Sequence, residues 1–202
     1  MREAAPTRSA ALALAEERQL MRQGFGFLDE KRMLLAGEIL RLLKRFEELS
    51  AAMDELRRRA EAAQAAAVER HGFDALAAYP AWARAPQPPA TGIAKFLGVP
   101  LKRSDPWSIS PAEAPEAVDP SPEAEACRAA FARWLEASAE AGLIASNLER
   151  LAHEYRRVER RAKALENVLI PEVEASLKHV GEQLDVLDQE EAVRVRLAGR
   201  SS

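Results

Sequence analysis

The side chains that could carry out chemistry in this chain are few and widely separated. A metal site needs histidine, cysteine or carboxylate ligands at short spacings, whereas His71, His153 and His179 lie far apart. The single cysteine, Cys127, would act as a nucleophile only beside a base, and no convincing base accompanies it. One cysteine cannot form an internal disulfide, which is compatible with a reducing compartment. We therefore expect no catalytic residue, no metal site and no cofactor.

Glycine-rich nucleotide-binding motifs are also missing from the sequence. There is no G-x-x-x-x-G-K-[ST] phosphate loop, and Gly24 and Gly26 do not have the spacing of a dinucleotide fingerprint. These two glycines and Gly37 instead fall inside a predicted helix, where each costs about 1 kcal/mol relative to alanine. Two interpretations stay open: they are tolerated weak points, or they allow a partner backbone to approach closely.

Two bands of charge stand out near the C-terminus. Residues Arg150 to Lys163 include six basic and two acidic side chains, and Glu182 to Glu191 include five acidic and no basic ones. A solvated helix face explains each band. The alternative is that the bands meet charged loops of surrounding subunits, where electrostatics would set orientation and association rate more than affinity.

The overall composition excludes several classes of partner. A net charge of −3 over 202 residues gives no reason to expect nucleic acid or an anionic membrane as the main partner. The apolar run Ala10 to Ala15 is too short for a secretory signal, and no stretch approaches the roughly 18 apolar residues of a membrane span. We expect a cytoplasmic protein with no direct membrane insertion, held at a membrane only through other proteins.

The N-terminal segment has the periodicity of a coiled-coil helix. No proline occurs between Pro6 and Pro80, so one helix can run from about Ser9 to about Arg70, a length on the order of 90 Å. Such a helix needs a second helix of similar length to cover its apolar stripe. The residues that recur at intervals of seven are Leu14, Met21, Leu28, Leu35, Leu42, Leu49 and Leu56, and a second series four residues on is Ile39, Phe46, Met53 and Ala60.

The C-terminal segment supplies the second helix. Pro122 after Ser121 predicts a helix start with Ser121 as the cap. Apolar residues step by three and four up to Leu169 and slip by one residue around Pro171. Because the apolar pattern resumes at Val173, we predict a helix that is kinked at Pro171 but continuous. The alternative for an isolated Ile-Pro step is a helix end.

The predicted fold class is mainly all-α: a long antiparallel two-helix coiled coil with a small irregular head that carries a short β-hairpin in the sequence KFLGVPL (residues 95–101). Three regions follow: an N-terminal helix over residues 1–70, a proline-rich head or linker over 71–121, and a C-terminal helix over 122–202. The predicted seam residues are Leu28, Leu35, Ile39, Leu42, Phe46, Leu49, Met53, Leu56, Leu151, Tyr155, Val158, Leu165, Leu169, Leu177 and Leu184.

Motifs at both ends of the chain resemble one family. Pro6-Thr7-Arg8 resembles an opening P-T-R-x-x-L pattern, and Leu28 with Lys31-Arg32 resembles a leucine-lysine-arginine box. Arg160-Arg161 through Ile170-Pro171 resembles the signature R-R-V-N-A-L-E-x-V-x-I-P. The family is the D subunit of the rotary V-type and archaeal A-type ATPases. Departures from its pattern, including Ala162 and Lys163 in place of valine and asparagine, suggest a divergent bacterial branch.

The resemblance implies a non-catalytic central rotor shaft that transmits torque between a catalytic ring and ion translocation in the membrane. Its implied partners are the catalytic and non-catalytic nucleotide-binding subunits of the ring, a small central-stalk subunit, and the funnel-shaped subunit above the proteolipid ring. With the charge bands, it marks these residues as candidate ring or stalk contacts: Arg8, Lys31, Arg32, Arg160, Arg161, Glu166, Pro171, Arg194 and Arg196.

Two other classes of function remain alternatives. The first is a helical-hairpin adaptor or stalk protein of another assembly, which would form a stable coiled coil without affinity for an ATPase ring. The second is an enzyme, which would show turnover, or a stability change linked to a ligand, by the chain alone.

Overall fold

The computed structural model describes residues 7–77, 79, 90–105, 107–109, 117 and 119–198. Helix α1 spans Arg8–His71 and the short helix α2 spans Phe73–Ala77. Strands β1 (Thr91–Phe96) and β2 (Val99–Ser104) form an antiparallel hairpin. Helix α3 (Pro122–Ala164), a π-helical turn (Leu165–Leu169) and helix α4 (Ile170–Ala198) follow without a break. The predicted fold class is confirmed, because a long N-terminal helix packs against a long C-terminal helix and a small hairpin lies between them in sequence.

The chain forms two compact units. Unit 1 combines the described parts of Met1–Leu34 and Tyr155–Ser202, and unit 2 is formed by those of Leu35–Glu154. In the described part of the chain, no helix is both long and apolar enough to cross a membrane.

Local backbone chemistry sets both ends of α1. The hydroxyl of Thr7 accepts a hydrogen bond from the backbone N–H of Ala10 at 3.1 Å, which is the geometry of an N-cap. At the other end, Gly72 has a positive φ of 75°, and its N–H donates to the carbonyl of Val68 at 2.8 Å. Glycine adopts this left-handed conformation at little cost, so α1 stops there.

In unit 2, α1 buries a stripe of small and branched apolar side chains. Leu35 is completely buried at 0% exposure, and Leu42 and Leu49 are also buried. Ala60 and Ala67 continue the stripe. In the second predicted series Ile39, Phe46 and Met53 are half-buried and Ala60 is buried, while Leu56 of the first series is half-buried. On α3 the buried side chains include Ala141, Ile144 and Leu151. On α1 the buried position follows the first series as far as Leu49 and passes to the second series at Ala60.

In unit 1 the buried side chains on the C-terminal helices are Val158, Ala162, Val173 and Val180. Leu169, one of the predicted seam residues, lies in the π-helical turn with its side chain 39% exposed. A π turn places one more residue in the turn than an α-helix does. The apolar face therefore passes from Ala162 to Val173, while Leu165 is only half-buried.

The helix continues through Pro171, as the sequence predicts, and the irregularity lies just before the proline. The N–H of Ile170 donates to the carbonyl of Leu165, five residues earlier, which is the bond pattern of a π-helix. Pro171 has no N–H and cannot make the ordinary bond to the carbonyl of Asn167.

The start of α3 also follows the sequence. The helix begins at Pro122, and the Ser121 hydroxyl accepts a hydrogen bond from the N–H of Ala124 at 3.1 Å. The same hydroxyl lies 2.6 Å from Nε2 of His71, the last residue of α1. The end of α1 is thereby joined to the start of α3.

Candidate functional site

All nine candidate contact residues lie in unit 1. Arg8, Lys31 and Arg32 are on α1, and the other six are on α3, the π-helical turn and α4. The candidate functional site is therefore the surface of a helix pair and not a cleft.

Long-range ion pairs fix the direction of the helices in unit 1. Nη2 of Arg8 lies 3.3 Å from a carboxylate oxygen of Asp188, and Nη2 of Arg22 lies 2.5 Å from one of Glu174. From the first pair to the second, the residue number rises from 8 to 22 on α1 and falls from 188 to 174 on α4, so the two helices are antiparallel. Exposed pairs of this kind contribute about 0–1 kcal/mol each, so they specify alignment more than stability.

Arg32 belongs to a small charged cluster. Its Nη2 donates to Asp29 at 2.5 Å, and its charge also helps to lower the pKa of Glu159. The main cause of that lowered pKa is a hydrogen bond from Lys163, whose Nζ lies 2.9 Å from the carboxylate. The neighbouring Arg160 and Arg161 are exposed. The basic band is thus a partly paired surface, with its outward guanidinium groups in a position to meet acidic side chains.

The π-helical turn presents both apolar and charged side chains to solvent. Val168 and Leu169 are exposed, and so are Glu166 and Pro171. π turns inside α-helices occur frequently at functional sites. The turn, which the sequence marks by its Ile-Pro step, is consequently a candidate contact point.

At the end of α4 the acidic and basic bands partly neutralise each other. Arg194 lies 3.8 Å from Glu190, one helical turn earlier. Arg196 is exposed and lies in the last turn of the helix, where a cation interacts favourably with the helix dipole.

Sequence reasoning missed a group of exposed apolar side chains in unit 1. They lie outside the heptad series, so an analysis limited to the seam does not find them. The sequence does indicate them in another way, because they are apolar at positions where a helix exposed to solvent usually has polar residues. Single exposed apolar side chains are common on protein surfaces, but nine of them on one helix pair offer apolar area that another protein could cover. The side chains that are at least half exposed are Leu12, Leu20, Phe27, Met33, Val168, Val186, Val193, Val195 and Leu197.

Among the residues that the structure describes, His71, Ser121 and Cys127 are the side chains whose surroundings bear on chemistry. His71 has the Ser121 hydroxyl at 2.6 Å from Nε2 and Asp119 at 3.8 Å from Nδ1, an order that resembles a hydrolytic triad. However, Ser121 is buried and caps α3, so its oxygen is not presented to a substrate. Burial raises the pKa of the Cys127 thiol, which disfavours the reactive thiolate. The described residues contain no cluster of potential metal ligands.

The hairpin in unit 2 is attached to α3 by one buried amide side chain. Asn147, only 7% exposed, accepts a hydrogen bond from the N–H of Lys102 and donates one to its carbonyl, both at 2.8 Å. Neither the asparagine nor this pairing was identified from the sequence. The only indication in the sequence is an asparagine on a predicted helix, and this does not show which group the asparagine binds.

We expect Asn147→Ala to loosen the hairpin. The substitution leaves two backbone groups of Lys102 without their partner, at a cost of about 1–3 kcal/mol in unfolding free energy. Amide exchange over β1 and β2 should become faster, while exchange in the middle of α1 stays unchanged. Ser146→Ala, at the adjacent residue, is the control. Equal protection of the hairpin in both variants would contradict the role assigned to Asn147.

Comparison with known proteins gives a consistent result over nearly the whole chain. The profile of the family described as the D subunit of ATP synthase matches residues 10–200. The V-type ATP synthase D subunit of Thermotoga neapolitana is 28% identical, with 95% of this chain and 95% of that protein covered. The protein of the same name from Anaeromyxobacter dehalogenans strain 2CP-C is 33% identical, covering 97% and 95%. The one from Thermus thermophilus is 26% identical, covering 97% and 87%.

Proposed function

Because this chain belongs to the family of ATP synthase D subunits, we propose that it is the central rotor shaft of a V/A-type rotary ATPase. In this role the chain carries torque between ATP hydrolysis or synthesis in a catalytic ring and ion translocation in the membrane. It is a non-catalytic subunit, and the complex as a whole couples the two reactions.

The observation that carries the proposal is the double character of the helix pair in unit 1. A buried face that includes Val158, Val173 and Val180 holds the helices together. Phe27, Met33 and the other exposed apolar side chains lie on the same pair and face outward. A free-standing coiled coil gains nothing from such an exterior, whereas a shaft enclosed by other subunits can bury it.

A shaft of this kind works through asymmetry and stiffness. An asymmetric axle makes otherwise equivalent catalytic sites differ, so its rotation shifts each site between states of different nucleotide affinity. Torque is transmitted only if the shaft resists twisting. The continuous backbone hydrogen bonding of α1 and the buried apolar face of each unit support that requirement.

We propose that the charged surface of unit 1 meets the ring and the stalk. The exposed guanidinium groups of Arg160 and Arg161 would face acidic loops, and the acidic side chains of α4 would face basic ones. The partners are catalytic and nucleotide-binding ring subunits, a small stalk subunit and a funnel-shaped subunit above the proteolipid ring. Attachment to the membrane occurs through these subunits.

Co-isolation from the native host tests the proposal. We expect a tagged full-length chain to recover a large ring of two subunit types, identified by mass, with nucleotide-dependent ATPase activity in the eluate. An untagged host extract carried through the same purification is the control. Recovery of the chain alone, or with unrelated partners, would contradict the rotor role and favour a helical-hairpin adaptor of another assembly.

A further inference from the structure

The two edges of the hairpin in unit 2 differ in their backbone hydrogen bonding. On the outer edge of β2, Pro100 has no N–H, and its carbonyl accepts a hydrogen bond from Nη1 of Arg150 at 3.2 Å. The N–H and carbonyl of Lys102 are both bound to Asn147. Helix α3 therefore occupies the β2 edge in the way that a third strand would.

The outward groups on the β1 edge follow from this arrangement. Lys102 is paired with Ile93, and its N–H and carbonyl point away from β1. In an antiparallel ladder such a pair exchanges no hydrogen bonds, so the backbone groups of Ile93 also point outward. Because the pattern alternates, Thr91 and Lys95 share this direction, while the residues between them bond to β2.

The turn of the hairpin confirms this register. Leu97 and Gly98 have positive φ values of 49° and 86°, the conformation of a two-residue type I′ turn. Such a turn is closed by a hydrogen-bonded pair, here Phe96 and Val99. Among the described residues, no donor or acceptor is bonded to the outward backbone groups of β1.

The side chains around this edge indicate what it could bind. Ile93 is 73% exposed at the centre of β1. The sequence from Thr91 to Ser104 contains Lys95, Lys102 and Arg103 and no acidic residue. An unpaired strand edge is a template for another strand, and the basic charge favours an acidic one.

We propose that β1 binds an extended, acidic segment of a partner protein, which adds to the hairpin as a third strand along the outward backbone groups of Thr91, Ile93 and Lys95. Backbone hydrogen bonds hold the segment in place. On the hairpin face that carries Ile93, Lys95 and Lys102, an apolar side chain of the segment packs on Ile93 and a carboxylate two residues away lies beside Lys95. A second copy of this chain is the less suitable occupant, because its hairpin carries the same positive charge. The inference does not depend on the rotor role, and either can fail without the other.

The test uses the full-length chain and the capped eight-residue peptide Val-Thr-Glu-Thr-Val-Thr-Glu-Thr, in which valine and glutamate lie on the same face of an extended strand. We expect the peptide to slow amide exchange at Thr91, Ile93 and Lys95, as followed by NMR. Exchange at Gly92, Ala94 and Phe96 should stay nearly unchanged, because those amides already bond to β2. A matched peptide with lysine in place of glutamate is the control and should leave all six amides unaffected.

Two variants make the test specific. Ile93→Pro removes one outward N–H and should weaken peptide binding by about tenfold, the value of one hydrogen bond, whereas Ile93→Val should change it by no more than about twofold. Should Ile93→Pro disturb the hairpin, Lys95→Glu provides a second test, since it should reverse the preference between the acidic and basic peptides.

Two results would overturn the proposal. One is that the acidic peptide leaves exchange at the three outward amides unchanged. The other is that, in the absence of peptide, these amides become more protected from exchange as the protein concentration rises. The occupant of the edge would then be a second copy of the chain.

Discussion

Leu35→Ala is expected to lower the unfolding free energy of the chain by about 2–5 kcal/mol, because it removes a completely buried side chain and leaves a cavity in the helix interface. Leu151, equally buried on α3, should respond in the same way. Urea unfolding followed by circular dichroism measures the change. The control is Leu40→Ala on the same helix, where the side chain is 66% exposed and the expected change is within about 0.5 kcal/mol.

Equal midpoints for Leu35→Ala and Leu40→Ala would contradict the buried stripe of unit 2. A polar residue at Leu35, Leu42 or Leu49 extends the test. Each should loosen the helix pair and lower its melting temperature by more than alanine does, because a buried polar group without a partner adds its own cost.

Pro171→Ala is expected to stabilise the helix and yet to impair coupling in the assembled complex. Alanine restores a backbone N–H beside the π-helical turn, and it removes a penalty of up to about 3 kcal/mol. The same change would let Leu165–Leu169 return to the α-helical register, which would rotate the residues on either side relative to one another. Coupling is measured as ions transported for each ATP hydrolysed.

The control for this variant is Glu172→Ala, which changes an exposed neighbour and leaves the backbone bonds of the turn in place. We expect it to keep normal coupling. Normal coupling in the Pro171→Ala complex as well would mean that the π-helical turn and its proline are incidental to the mechanism.

Periodic burial is the part of this fold that sequence reasoning predicts well. Leu35, Leu42 and Leu49 recur at a spacing of seven, and a residue that returns to the same helix face at each interval must be covered by a partner helix. The cap at Ser121 can be predicted equally well, because serine is a preferred N-cap residue and proline is common at the first position of a helix.

The features of the structure that the sequence does not specify have different physical causes. The exposure of Leu169 depends on the π-helical hydrogen bonds of its turn. An Ile-Pro step predicts a disturbed helix, but it does not specify to which carbonyl the N–H of the residue before the proline donates. The hydrogen bonds between Asn147 and Lys102 join groups that are 45 residues apart in sequence, so no local sequence pattern predicts them. Exposed apolar residues such as Phe27 become informative only after the structure shows which face of α1 is covered.

The positions of the candidate contact residues could be predicted in part from the sequence. Charge runs and motif resemblance selected Arg8, Arg32 and Arg160, and the structure places all of them in unit 1. Their individual pairings could not be predicted, because long side chains on a solvated surface choose among several neighbours of similar energy.

Rotation of a probe attached to this chain within the assembled complex tests the central claim most directly. A single exposed attachment point is provided by Arg103→Cys on β2, in a Cys127→Ala background. With the catalytic ring fixed to a surface, we expect ATP to drive stepwise rotation of the probe in one direction, and an inhibitor of hydrolysis to stop it. A probe that stays still while the same complexes hydrolyse ATP would contradict the proposal that this chain is the rotor shaft.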